Sequence, residues 1–318
     1  MSTLVSVLIP CYNAERWIAQ AIESALGQTW PNKEIVVVDD GSTDGSLDVI
    51  RRFHQRIRYE SGPNRGGGAA RNRLIELSRG DWLQYLDADD YLLPHKIARQ
   101  MEFLGSNRDT DIVFGPVTME HLWEGRASTC ELLRIPEPHD PWTLLASWGL
   151  PQTGAPLWRR QALVDVGGWK HDQPCCQEHE LYLRLLMNAK RFAYCASDGA
   201  VYRQWSNDTV CKKDIGEVHR QRLQIEQRLE DYLRDTKQLT IERLRAINQA
   251  RFEIARMAWQ YDPRFGEEIM NRVLRTDPGF LPTGAAAPAH YQVIYRSFGF
   301  QIAEYLAAAL RGRIPFAA

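Results

Sequence analysis

The densest acidic signal in the chain is Tyr85-Leu-Asp-Ala-Asp-Asp90, which closes a short apolar segment starting at Trp82. Asp87 and Asp89 stand two residues apart where a strand is expected to end, so a turn there can aim both carboxylates at one point. Two close carboxylates repel, and a divalent cation relieves that repulsion. Mg²⁺ takes one or two carboxylates and completes its shell with phosphate oxygens and waters, and oxygen ligands also suit Mn²⁺. The plainer alternative is an acidic surface turn ahead of the helix that opens at Pro94, because D-x-D is a common pattern.

Three further clusters carry chemical groups. In Asp39-Asp40-Gly-Ser-Thr-Asp44 a carboxylate just after a strand can accept a bond from a ribose hydroxyl or a base N–H. Turn chemistry, with Asp44 as a helix N-cap, explains the same residues. Pro63-Asn-Arg-Gly-Gly-Gly-Ala-Ala-Arg71-Asn72 has glycines that let a backbone approach phosphate, and Arg71 can offset negative charge. A flexible turn before a helix would look alike. Glu178-His-Glu180-Leu-Tyr-Leu-Arg184 opens a helix whose dipole favours a carboxylate in its first turn, for structure or as a general base. His171, Cys175, Cys176 and His179 match no zinc-ligand spacing, so buried thiols and a surface histidine are expected there. Trp148, Trp158, Trp169 and Trp205 could stack on sugar rings, although aromatic packing is the commoner use.

These clusters need a scaffold that brings them together. Leu4–Ile9, Glu34–Val38, Ile57–Tyr59, Trp82–Leu86 and Ile112–Phe114 read as buried strands. Between them lie amphipathic helices, the first capped by Asn13 and carrying Trp17, Ile18, Ala21, Ile22, Ala25 and Leu26 on its apolar face. Such alternation implies a mainly parallel sheet covered on both faces, with ligands beyond the carboxyl ends of its strands. Pro10, Tyr12, Asn13, Asp39, Asp40, Asn64, Arg71, Asn72, Asp87, Asp89 and Asp90 all fall at or just after those ends. From Thr118 to Leu150 the periodicity fades, and Pro136, Pro138 and Pro141 suggest a long loop. Beyond Asp214 the chain reads as amphipathic helices, so residues 1–214 form the expected main domain and 215–318 a helical region.

Composition is ordinary for a globular protein: 318 residues, 44% hydrophobic, 25% charged, net charge −1. Nothing in that balance points to nucleic acid. Six scattered cysteines without a C-x-x-C pair fit a reducing cytoplasm better than a disulfide scaffold. The start lacks a signal-peptide pattern, and no apolar run reaches the ~18 residues of a membrane helix.

Taken together the motifs resemble glycosyltransferase family 2 with its GT-A fold: an α/β, Rossmann-like, mostly parallel sheet with a C-terminal helical region. The matching pieces run in the family's order: Val5–Asn13, Glu34–Gly45, Asn64–Asn72, Tyr85–Asp90, Glu178–Arg184 and Tyr202-Arg-Gln-Trp-Ser206. The resemblance implies a nucleoside pocket lined by Pro10, Tyr12, Asn13, Asp39 and Asp40, with Asn64 and Arg71 beside the donor. Asp87 would face the ribose or the metal, Asp89 would ligate Mn²⁺ or Mg²⁺, and Glu178 would be the catalytic base. It further implies single-displacement transfer, with inversion, from a nucleotide sugar, a UDP-sugar foremost, to a glycan, lipid-linked or small-molecule acceptor. Surface-polysaccharide or glycan synthesis in the cytoplasm, with room for peripheral membrane contact and a homodimer, completes the expectation.

Two departures stand out. Where the family often has His after the Tyr-Arg pair this chain has Trp205, so water would replace a third protein ligand. The base is Glu where Asp is more usual. Two alternatives remain open from sequence. A nucleotidyltransferase would carry a glycine-rich basic loop after the first strand, which Pro10-Cys-Tyr-Asn13 lacks. A non-catalytic binding module would have no need of Asp87, Asp89 and Glu178.

Overall fold

A computed structural model describes residues 3–122, 128–205 and 214–310. Ser206 lies outside the described residues. The chain divides into two compact units, residues 1–141 with 149–212 and residues 142–148 with 213–318.

The first unit starts with β1 (Val5–Cys11), α1 (Ile18–Leu26), β2 (Lys33–Asp39), α2 (Ser46–Arg51), β3 (Arg58–Ser61), α3 (Gly67–Leu77) and β4 (Trp82–Tyr85). It continues with β5 (Tyr91–Leu92), α4 (Lys96–Ser106), β6 (Ile112–Phe114), β7 (Val117–His121) and β8 (Thr129–Leu133). α5 (Pro141–Ala146) lies almost wholly in the second unit. β9 (Leu157–Arg159), α6 (Arg160–Asp165), α7 (Gln177–Met187), β10 (Phe192–Tyr194) and β11 (Ala200–Gln204) complete the first.

Seven strands form one sheet in the order β10-β6-β9-β4-β1-β2-β3. All neighbours run parallel except β9, which is antiparallel to both β4 and β6. The expected, mostly parallel α/β sheet is therefore present. Its two-sided burial explains the near-continuous apolar runs of β1, broken by Ser6, and β2. Val5, Val7, Ile9, Ile35 and Val37 pack with Ile18, Ala21, Ile22 and Ala25 of α1, Val49 and Ile50 of α2, and Ile97, Met101 and Leu104 of α4. Alternate strand residues point to the opposite face, and α3 packs against β1 and β2.

Register decides where the polar clusters go. Cys11 pairs with Asp39, Asp39 with Ser61, and Leu8 with Tyr85. The carboxyl ends of β1 to β4 therefore finish along one edge.

A second sheet, β5-β11-β7-β8, occupies part of the region where the fading periodicity suggested a loop. That reading needs correction: β7 and β8 pair antiparallel from Val117↔Leu133 to His121↔Thr129, and Pro141 begins a helix. Four of the five β8 residues are exposed, so the strand lacks the apolar alternation that would reveal it. Asn13 is also corrected. α1 begins after Trp17 with no side-chain cap, and Asn13 serves elsewhere.

The second unit holds α8 (Ile215–Asp235), α9 (Ile241–Trp259), α10 (Pro263–Thr276) and α11 (Ala289–Leu310), the last broken at Gly299. Local chemistry starts three of them. Asp214 accepts from Glu217 N, Thr240 from Arg243 N, and Asp262 from Arg264 N and Phe265 N ahead of Pro263. Phe252, Ile254, Ala255, Ile269, Met270 and Val273 form its core with Tyr291, Phe300 and Ala303. No helix among the described residues is long and apolar enough to cross a membrane.

Candidate active site

The ends of β1 and β2 are tied to each other. Asn13 sits at φ 50°, a left-handed conformation that asparagine tolerates. Its Oδ1 accepts from Thr43 N at 2.8 Å, and its own N donates to Ser42 Oγ at 3.0 Å. Pro10 is half-buried and Tyr12 is exposed. Asp39 is buried and accepts from Ser61 Oγ at 2.7 Å and Ser42 N at 3.3 Å. Burial, then the Asp39 charge, pushes the Cys11 thiol up to about 12, so this sulfur stays protonated.

Asp40 shapes the glycine-rich loop. One carboxylate oxygen accepts from Arg65 N at 2.8 Å and the other from Gly66 N at 2.9 Å. Gly41 lies beneath, at φ 73°, where a Cβ would come 2.6 Å from Asn64 N. Asn64 itself is exposed. Both Asp40 oxygens thus hold backbone, a demand invisible from sequence because the partners lie 25 and 26 residues on.

The acid turn follows β4. Asp87 and Asp89 are half-buried, and Asp90 is buried. Burial first, then Asp87, raises the carboxyl pKa of Asp89. Asp90 is pushed well above the usual carboxylate range by burial, then by Asp89 and Asp87. Asp90 Oδ1 accepts from Arg203 N at 2.8 Å, and Arg203 Nη1 donates to Asp89 O at 2.6 Å. The Arg203 guanidinium lies 4.6 Å from the Trp17 ring centre and 4.8 Å from that of Tyr91. Trp205 Nε1 donates to Asp89 Oδ2 at 2.9 Å.

Arg71 connects this turn to α7. Its Nη2 donates to Asp87 Oδ1 and its Nη1 to Gln177 Oε1, both at 2.9 Å, above the Trp169 ring. Burial opposes the guanidinium charge, but the charges of Asp87 and then Glu178 outweigh it and raise the Arg71 pKa. Glu178 thus stands within electrostatic reach of the group that pairs with Asp87. It lies in the first turn of α7, half-buried, and Thr153 Oγ1 donates to its Oε1 at 2.7 Å. Its neighbour Glu180 is buried and paired at 2.8 Å with both Lys170 and Arg184, so it serves the structure.

Asp39 and Asp40 line a cleft of about 780 Å³ with Arg65, Asn72 and His171. That cleft does not include Asp87, Asp89 or Glu178. The two groups communicate through α3: Asn72 faces the cleft while the adjacent Arg71 faces the acids. Thr153 and Gln177 were missed as site residues. Gln177 adjoins Glu178, but no local pattern marks Thr153. Trp169, weighed only for sugar stacking, lies under Arg71, and Arg203, inside the Tyr202–Ser206 motif, holds the acid turn.

Among the described residues no group of three or more His, Cys, Asp or Glu side chains is arranged to hold a metal. The Asp87–Asp89 pair therefore fits a cation that brings its own phosphate and water oxygens, the usual habit of Mg²⁺. It does not fit an ion held by protein alone.

Residues 6–132 match the family described as Glycosyl transferase family 2. An uncharacterized glycosyltransferase of Haemophilus influenzae is 38% identical over 108 residues, 33% of this chain and 43% of that protein. The chain thus spans less than half the length of that relative, and 18% of a similar Rickettsia felis protein. Among solved structures, residues 1–349 of S. aureus TarS in complex with UDP-GlcNAc superpose with a TM-score of 0.66 at 15% identity, covering 98% of this chain and 93% of that one. The mannosyltransferase PcManGT from Pyrobaculum calidifontis, in complex with GDP-Man and Mn²⁺, gives 0.50 at 17%, covering 100% and 89%. The fold shared with these enzymes is GT-A.

Proposed function

We propose that this chain, which belongs to glycosyltransferase family 2 through its residues 6–132, is an inverting glycosyltransferase that moves a sugar from a nucleoside diphosphate to an acceptor hydroxyl. One observation carries the reading: Arg71 pairs with Asp87 at the end of β4 while lying in the field of Glu178 at the head of α7. Acids 91 positions apart in sequence thereby meet around one cationic side chain.

In this reading Glu178 accepts the proton of the acceptor hydroxyl, with Thr153 fixing which carboxylate oxygen faces it. The acceptor oxygen forms the new bond to the anomeric carbon as the bond to the diphosphate breaks on the opposite side. Asp89 and Asp87 hold Mn²⁺ or Mg²⁺. The bound cation supplies charge neutralisation at the departing diphosphate. Pro10, Tyr12, Asn13 and Asp39 border the nucleoside, Asp40 holds the loop that presents Asn64, and Arg71 keeps Asp87 in place. A UDP-sugar is the favoured donor, in keeping with the UDP-GlcNAc bound to TarS. A glycan, lipid-linked or small-molecule acceptor, in surface-polysaccharide or glycan synthesis, suits the same chemistry. The second unit is proposed to serve acceptor, membrane-surface or self-association contacts.

Glu178→Gln tests the assignment. Binding of UDP-GlcNAc with Mn²⁺, followed by thermal shift, should be unchanged. Mn²⁺-dependent UDP release in the presence of acceptors should fall by about 10²–10⁴-fold. Near-normal release from the variant would remove Glu178 as the base.

A further inference from the structure

We infer that Trp205 is a positioning residue that sets the orientation of the Asp89 carboxylate toward the divalent cation. The inference rests on the reading of Asp89 as a metal ligand. The indole nitrogen is a donor only and offers no lone pair to a metal. Trp205 therefore cannot act as the histidine that the family resemblance leads one to expect here. It instead donates to Asp89 Oδ2 at 2.9 Å.

The bond sits in a built setting. Trp205 follows β11, and its ring lies 5.5 Å from that of Trp17, tilted by 49°. Two residues earlier Arg203 grips the same turn through Asp89 O and Asp90 Oδ1. Arg203 is itself held by Glu120 and Gln20 and lies over Trp17 and Tyr91. The end of β11 thus holds the backbone of the acid turn, Asp90 and one oxygen of Asp89, while Arg71 holds Asp87. The indole bond thus fixes the rotation of the Asp89 carboxylate, the group that would help hold the cation. Removing the indole N–H lets the carboxylate rotate about its own bonds. Partners that orient a metal-ligating side chain typically change metal affinity by about 10–100-fold.

The test is Mn²⁺ affinity in the presence of UDP, read from the electron paramagnetic resonance signal of free Mn²⁺. Wild type, Trp205→Phe and Asp89→Asn are compared. Phe keeps an aromatic ring against Trp17 but has no donor. Trp205 is 42% exposed, so its replacement by Phe opens no core cavity. UDP affinity in excess chelator checks that the site is folded. The expectation is Mn²⁺ binding weakened about 10-fold or more in Trp205→Phe and lost in Asp89→Asn. If Asp89→Asn loses Mn²⁺ while Trp205→Phe binds within twofold of wild type, the indole bond does not matter and the inference is overturned. If Asp89→Asn binds Mn²⁺ like wild type, Asp89 is not a ligand and the reading beneath the inference fails first.

Discussion

Replacing Arg71 with Met probes whether the acids share one electrostatic site. Methionine removes the guanidinium that pairs with Asp87 and lies over the Trp169 ring, and leaves an unbranched apolar chain in its place. The Arg71 and Asp87 side chains are 13% and 26% exposed and meet at 2.9 Å. At an effective dielectric of about 20, unit charges about 4 Å apart attract by about 4 kcal/mol. Desolvation opposes this, and a charge-assisted hydrogen bond nets about 1.5–3 kcal/mol. Stripping the partner from a buried ion costs about 3–5 kcal/mol, and the partial exposure of Asp87 keeps the loss near the lower end. A destabilisation of about 2–3 kcal/mol follows for the first unit, or roughly 5–10 °C in its melting temperature. Because the loss is one of positive charge beside Asp87, Asp89 and Asp90, Mn²⁺ should restore part of it. Differential scanning calorimetry with and without Mn²⁺ should show a larger metal-induced shift in the variant than in wild type. An unchanged melting temperature, or a fall that Mn²⁺ leaves untouched, would refute the shared site.

Other positions give independent checks. Burial pushes the Glu226 carboxyl up to about 7 from 4.5, and Trp148 Nε1 donates to its Oε1 at 3.0 Å. A raised folded-state pKa means its stabilising contribution is complete below about pH 4.5 and is lost as pH rises to about 7. At about 1.4 kcal/mol per unit, the loss is on the order of 3 kcal/mol. Glu226→Gln keeps an acceptor for Trp148, so its unfolding free energy, from denaturant titrations between pH 4.5 and 8, should lack this decline; parallel pH profiles for the two proteins would contradict the assignment. Gly68→Ala should destabilise the first unit by about 1–3 kcal/mol, because its Cβ would lie 2.6 Å from Lys170 O. Gly105→Ala, in α4 with nothing within 4 Å of the new methyl, should instead stabilise by about 0.4–1 kcal/mol; equal melting temperatures for the two variants would speak against the tight α3 packing.

Much of this protein is written locally. Val5–Ile9, broken only by Ser6, and Ile35–Val38 are nearly continuous apolar runs because a parallel strand is buried on both faces. Thr240 and Asp262 announce helix starts because the donors they satisfy lie two or three residues ahead. The acid turn was legible for the same reason: Asp87 and Asp89 owe their proximity to the bond geometry of one short segment. What remained hidden depends on residues far along the chain. Arg184, four residues on, is the one local mark on Glu180; Lys170, which also pairs with it, and Thr153, which holds Glu178 half-exposed, lie farther away in the chain. Asp40 finds its backbone partners in the next loop, and Asn13 ties two strand ends together instead of capping α1. Trp205 meets Asp89, 116 residues away, only because β11 runs beside β5, a pairing that no local periodicity encodes. Periodicity and turn chemistry act over one or two turns of chain, whereas the partner of a polar side chain is chosen by packing, once the sheet has set its register.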